Sequence, residues 1–176
     1  RDATALIESL QHSVQVTSGP TVLRFPKGPV PQPIPALTSK PWGDVLFGDD
    51  NPDVVIVAIG ALAEPALFAA QTLSASGVRI QVIDPVWVLP VRDDLIDYLA
   101  SISLVVTVED GLVDGGIGQA IEARLGDMRA PTEVITLGIP KEFLSQQSRK
   151  QWLQELGLDS KGIEIAISAR LNLQVQ

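Results

Sequence analysis

Between Gly28 and Pro41 the chain reads "GPVPQPIPALTSKP", with five prolines in fourteen residues. Proline has no backbone N–H and fixes φ, so neither a regular helix nor a central strand can run through such a stretch. It predicts a semi-rigid, extended connector. The chain is therefore expected to divide into a short unit at residues 1–27, a connector at 28–41 and a larger unit at 42–176.

The larger unit alternates strand and helix. "DVVIVAIG" (53–60) is a continuous apolar run, the pattern of a strand buried on both faces. "AEPALFAAQTLSASG" (63–77) reads as a helix with Pro65 in its first turn and Gly77 just past its end. "VRIQVID" (78–84), "SLVVTVED" (103–110) and "TEVITLG" (132–138) read as further strands. "RDDLIDYLASI" and "GGIGQAIEARLGDM" supply the intervening helices, and the tail reads as two helices joined at "GLD", with Asp159 as N-cap of the last. "WGDVLFGDD" is expected to add an edge strand. Short links in a β-α-β-α-β order predict an α/β fold: three layers, α/β/α, around a mainly parallel sheet.

Ahead of the connector, "DATALIESLQHSV" (2–14) places Leu6, Ile7, Leu10 and Val14 at helical spacing, with Asp2 as N-cap. "TVLRF" (21–25) has the composition of a strand. The chain opens without a Met, which is expected of a piece of a longer protein.

The inventory excludes several chemistries. With no Cys and one His, a disulfide scaffold, a Cys/His zinc site and a Cys nucleophile are ruled out, and His12 alone would serve any Ser-His triad. His12 lies on a helix of Ser, Gln and aliphatic residues and reads as a solvated or hydrogen-bonded side chain. A net charge of −8 opposes nucleic acid and anionic lipid, and no apolar run is long enough to span a membrane. The absence of Cys fits a reducing cytoplasm. Trp42, Trp87 and Trp152 are expected to fill core or interface positions.

Three segments can carry chemistry. "EDGLVDGGIG" (109–118) leaves a strand and enters a helix, and Gly115, Gly116 and Gly118 allow close backbone approach. Such a turn can hold an anion on free N–H groups. It has neither dinucleotide nor P-loop spacing, and the simpler reading is a tight turn that seats a helix on the sheet or against a neighbouring subunit. Glu109, Asp110 and Asp114 can act as acids or hold Mg²⁺, although acids before a helix also complement its dipole. "RFPKG" sets Arg24 and Lys27 about a Phe-Pro pair, which can grip a phosphate monoester or simply form a solvated strand end.

Taken together, "GPTVLRFPKG", "VVIVAIG", "VIDPVWVLPV", "VTVEDGLVDGGIG", "LGIPKEFL" and "LQELGLDSKGI" resemble, in order and spacing, the C-terminal region of the 1-deoxy-D-xylulose-5-phosphate synthases, members of the thiamine-diphosphate-dependent transketolase family. The resemblance covers nearly the whole chain. It implies that residues 1–27 end a central pyrimidine-binding domain, that 28–41 link two domains and that 42–176 form a transketolase C-terminal domain. It places Lys27, and with it Arg24, near the phosphate of the substrate. It implies a parent that condenses pyruvate with glyceraldehyde 3-phosphate as a cytoplasmic homodimer, using thiamine diphosphate and Mg²⁺, in isoprenoid and thiamine synthesis. The matching domain of a transketolase or of a 2-oxo-acid dehydrogenase β subunit, or a stand-alone interaction module, are the alternatives. No Gly-Asp-Gly motif with a downstream Asn is present, and "GDD" (48–50) reads as a loop, so no cofactor, metal or catalytic residue is expected within this chain. Val86, Leu89 and Gln147 stand where relatives often carry Arg, Lys and Gly.

Overall fold

The computed structural model describes residues 1–29, 31–48 and 50–173. Its frame is one six-stranded sheet in the order β1-β2-β4-β3-β5-β6. The strands are β1 (Thr38–Lys40), β2 (Gly43–Phe47), β3 (Val54–Ala58), β4 (Ile80–Asp84), β5 (Leu104–Leu112) and β6 (Glu133–Ile139). β4, β3, β5 and β6 run parallel, whereas β1, β2 and β4 are joined antiparallel.

The apolar run at β3 is buried at every residue because the strand is covered on both sides. Its side chains alternate between two cores. Val54, Ile56 and Ala58 face Leu62, Ala66, Leu73, Ile163 and Ile167 of α2 (Ala63–Ala75), its lead-in turn and α6 (Ser160–Leu171). Val55 and Val57 face Leu95, Leu99, Ile117, Ile121 and Leu125 of α3 (Asp93–Leu99) and α4 (Ile117–Asp127). Two-residue periodicity in one strand thus generates the three-layer α/β/α architecture.

Two helix starts follow their predicted caps, and a third has a cap of its own. Asp2 starts α1 (Ala3–Ser13) by accepting from the Ala5 N–H, and Asp159 starts α6 by accepting from the Gly162 N–H. Ser148 and Gln151 form a reciprocal capping box on α5 (Arg149–Glu155).

Two strand expectations are corrected. "TVLRF" is not a strand: residues 21–25 form no ladder with any described segment, and Val22 and Phe25 are exposed. A strand-forming composition yields a strand only where another backbone supplies the hydrogen bonds. "WGDVLFGDD" does form a strand, β2, but not at the edge, because the tripeptide Thr38–Lys40 pairs outside it as β1. β1 contains no proline and lies between Pro35 and Pro41, so an edge position is open to it. Within "GDD", Asp49 lies outside the described residues. No helix among the described residues is long and apolar enough to cross a membrane.

Trp42 is buried and stacks on Tyr98 at a centroid distance of 4.6 Å. The Tyr98 hydroxyl donates to Gln81 Oε1 at 2.6 Å. Burial, assisted by the charge of Asp50, pushes the phenol up to about 12. An unfolded tyrosine ionises near pH 10, so the fold favours the neutral phenol and loses stability as the pH rises through this interval. Ultraviolet titration of the sole tyrosine should give a midpoint near 12. A midpoint at the value of free tyrosine would show that the Trp42 stack leaves the ring wet.

Candidate functional site: the glycine-rich turn after β5

The glycine-rich turn lies where the sheet changes direction. β3 leads into α2 on one face and the neighbouring β5 leads into α4 on the other, and ligands in open α/β sheets gather at such a crevice. Here the crevice is filled by the protein itself. Glu109 is buried, and its two carboxylate oxygens accept from the Ile117 N–H at 3.3 Å and the Gly118 N–H at 3.0 Å. Two of the first-turn donors of α4 that an external anion would need are thus already taken.

The glycines make room for that carboxylate. A side chain at Gly111 or Gly116 would press on the Glu109 oxygens, and one at Gly138 would meet its Cγ at 3.2 Å. Gly118 serves the neighbouring contact: a Cβ there would lie 2.7 Å from Thr136 Cγ2 and closer still to Thr107 Oγ1. The turn is therefore a seat for α4 on β5 and β6. This is the simpler of the two readings of the segment, and the anion at this helix start is Glu109.

The other two acids do not converge with it. Asp110 accepts from Arg149 Nε at 2.9 Å and Nη2 at 2.7 Å, while its backbone carbonyl accepts from Arg24 Nη2 at 2.7 Å. Asp114 is exposed. No group of three His, Asp or Glu side chains gathers as a metal cage among the described residues. The set does not fit a Mg²⁺–diphosphate group. The acidic charge is instead split among a helix start, an ion pair and solvent.

The structure brings Arg24 onto the carboxyl end of β5, whereas Lys27 is exposed at a bend and has no partner among the described residues. His12 is exposed and meets the Trp87 ring edge-on at 5.4 Å. Trp152 donates to the Ser145 carbonyl. Val86 and Leu89 are exposed on the loop after β4, and Gln147 donates to Glu155 Oε2 at 2.9 Å. A mixed-charge cleft of about 560 Å³ lies nearby, with Glu64, Phe68, Arg149, Lys150 and Asp159 in its walls.

Sequence reasoning missed a second cluster, at the carboxyl end of β4. Arg1 Nη1 lies 2.8 Å from Asp44 Oδ2 and 2.9 Å from Asp84 Oδ2, and Arg1 Nε donates to the Ile34 carbonyl at 2.9 Å. Asp2 caps α1 and also accepts from the Ile34 N–H at 2.6 Å. Burial disfavours the Asp2 carboxylate, but the Ala5 and Ile34 N–H bonds and the Arg1 charge outweigh it and hold its pKa below the ordinary range. The one sequence signal was a charged Asp84 ending an apolar strand.

The family whose description is "Transketolase, C-terminal domain" matches residues 43–163. The chain belongs to that family. The transketolase C-terminal domain thus accounts for β2 through the start of α6. Over 98% of its length the chain is 41% identical to 1-deoxy-D-xylulose-5-phosphate synthase of Nocardia farcinica, and over 93% it is 42% identical to that of Mycobacterium ulcerans. It spans only 28% and 26% of those two proteins. Among solved structures, a split-gene transketolase, described as an inactive β4 tetramer, superposes with a TM-score of 0.64 at 30% identity, over 76% of this chain and 43% of that one. The R525L transketolase of Pichia stipitis shares the fold alone, at 15% identity and a TM-score of 0.52, over 73% of this chain and 18% of that one.

Proposed function

We propose that the chain is the C-terminal part of a 1-deoxy-D-xylulose-5-phosphate synthase, a thiamine-diphosphate-dependent transferase. The complete enzyme would join pyruvate to glyceraldehyde 3-phosphate with loss of carbon dioxide, and the product would feed isoprenoid and thiamine synthesis. The observation that carries this reading is the 41% identity running over 98% of the chain, beyond the family match at residues 43–163. In this reading residues 1–27 close a preceding pyrimidine-binding domain and residues 28–41 link it to the C-terminal domain. The larger unit supports packing and a cytoplasmic homodimer, while Lys27 and Arg24 contribute to a substrate-phosphate rim. Exposed Lys27 is free to reach a phosphate, and Arg24 is held at the β5 end close by in sequence.

The chain alone is expected to be inactive. Among the described residues the acids do not assemble a metal–diphosphate site, and the split-gene transketolase similar to it is described as inactive. Titration of thiamine diphosphate with Mg²⁺ into the purified chain should give no heat of binding, and pyruvate with glyceraldehyde 3-phosphate should not turn over. Micromolar cofactor binding or measurable product would refute that expectation. In the full-length enzyme, Lys27→Ala should raise the KM for glyceraldehyde 3-phosphate by about tenfold while leaving that for pyruvate unchanged, the signature of one lost phosphate contact.

A further inference from the structure

Asp44 and Asp84 are directly opposite each other on the antiparallel strands β2 and β4. Two like charges at such a pairing repel, and a cation between them turns the repulsion into attraction. Each carboxylate is half satisfied by the sheet or by the loop after β4. Asp44 Oδ1 accepts from Ser39 Oγ at 2.6 Å, and Asp84 Oδ1 accepts from the Val86 N–H at 2.8 Å. The remaining oxygens, both Oδ2, point at the same Arg1 Nη1. The Arg1 side chain is 6% exposed, as is that of Asp84. Gly43 permits the close approach of β2, since a Cβ there would lie 2.7 Å from the Pro85 Cα.

We propose that Asp44, Asp84 and the Ile34 carbonyl form a guanidinium socket, and that Arg1 in this socket locks α1 and the proline connector onto the sheet. The two units then move as one body despite the connector between them. Nη1 alone bridges the two carboxylates, and Nε of the same planar fork reaches the Ile34 carbonyl; a lysine ammonium can sit between the carboxylates but has no second nitrogen to place on the carbonyl. α1 depends on the lock because the helix face turned toward the domain carries Asp2, Ala5 and Ser13, whereas Ile7, Leu10 and Val14 face outward. Little apolar burial holds the helix in place.

Hydrogen exchange read by mass spectrometry on the complete 176-residue chain tests the lock. Arg1→Ala should speed exchange in α1 and at Ile34 by about tenfold or more, with β3 and β5 unchanged. Arg1→Lys should fall between the two. Because Arg1→Ala leaves a repelling pair that can disturb the sheet, the double variant Asp44→Asn/Asp84→Asn provides the second arm. It removes the repulsion while keeping amide oxygens for Ser39 and Val86, and it should still release α1. Wild-type protection of α1 in either Arg1→Ala or the double variant would overturn the lock, and wild-type protection in Arg1→Lys would overturn its guanidinium specificity.

Discussion

Gly118→Val should destabilise the chain by about 2–3 kcal/mol, lowering the melting temperature by about 5–10 °C for a domain of this size. The new branched side chain would be built into Thr107 and Thr136, which are themselves stiff at χ1. Neither can swing away, because Thr107 is fully buried on β5 and Thr136 lies beside it on β6. α4 would have to lift off the sheet, exposing Ile117, Ile121 and Leu125. Thermal unfolding followed by circular dichroism measures the loss. Alanine at the same position should cost less, yet still place its Cβ inside contact distance of both threonines. An unchanged midpoint for valine would mean that α4 is not seated as described.

Glu109→Ala should cost about 2 kcal/mol, because the Ile117 and Gly118 N–H groups would be left buried without an acceptor. Glu109→Gln keeps the shape and one acceptor but turns an amide N–H toward a donor, so it should recover only part of the loss. If added phosphate or sulfate stabilised Glu109→Ala more than the wild type, the vacated helix start would be acting as an anion site. Phosphate should not stabilise the wild type in this way, since its own carboxylate occupies the position. Equal stability of Glu109→Ala and wild type would refute the role assigned to the carboxylate.

The parallel core was legible in the sequence because β3, β4 and β5 combine apolar runs with helical segments of ordinary length and clear ends. Asp2 and Asp159 were legible as caps because capping is a local event, decided within three residues. The reading of acids before a helix as partners of its N-terminus held for Glu109 and not for Asp110 or Asp114. Spacing alone could not say which of the three folds back onto α4. The glycines of the same segment allowed either a bound anion or a tight turn; the turn is what forms, and the anion at its helix start is covalently part of the chain. "TVLRF" was misread because a strand is a property of a pair, and composition describes one member only. β1 was hidden for the opposite reason: Thr-Ser-Lys has little strand character, and its position comes from pairing with β2. The Arg1 cluster was illegible because its members are separated by 43 and 40 residues, and only the antiparallel register of β2 on β4 unites them.

The placement of β3 has a consequence for how the chain is made. It is the first of the parallel strands to leave the ribosome, yet it lies between β4 and β5. Its last neighbour is not complete until residue 112, more than fifty residues later. At ordinary elongation rates "VVIVA" therefore waits roughly 3–10 s before both of its edges are paired. During that interval the most apolar segment of the core is exposed as an unpaired strand, which makes it the natural point of capture for a chaperone and the first place where two nascent chains would stick together.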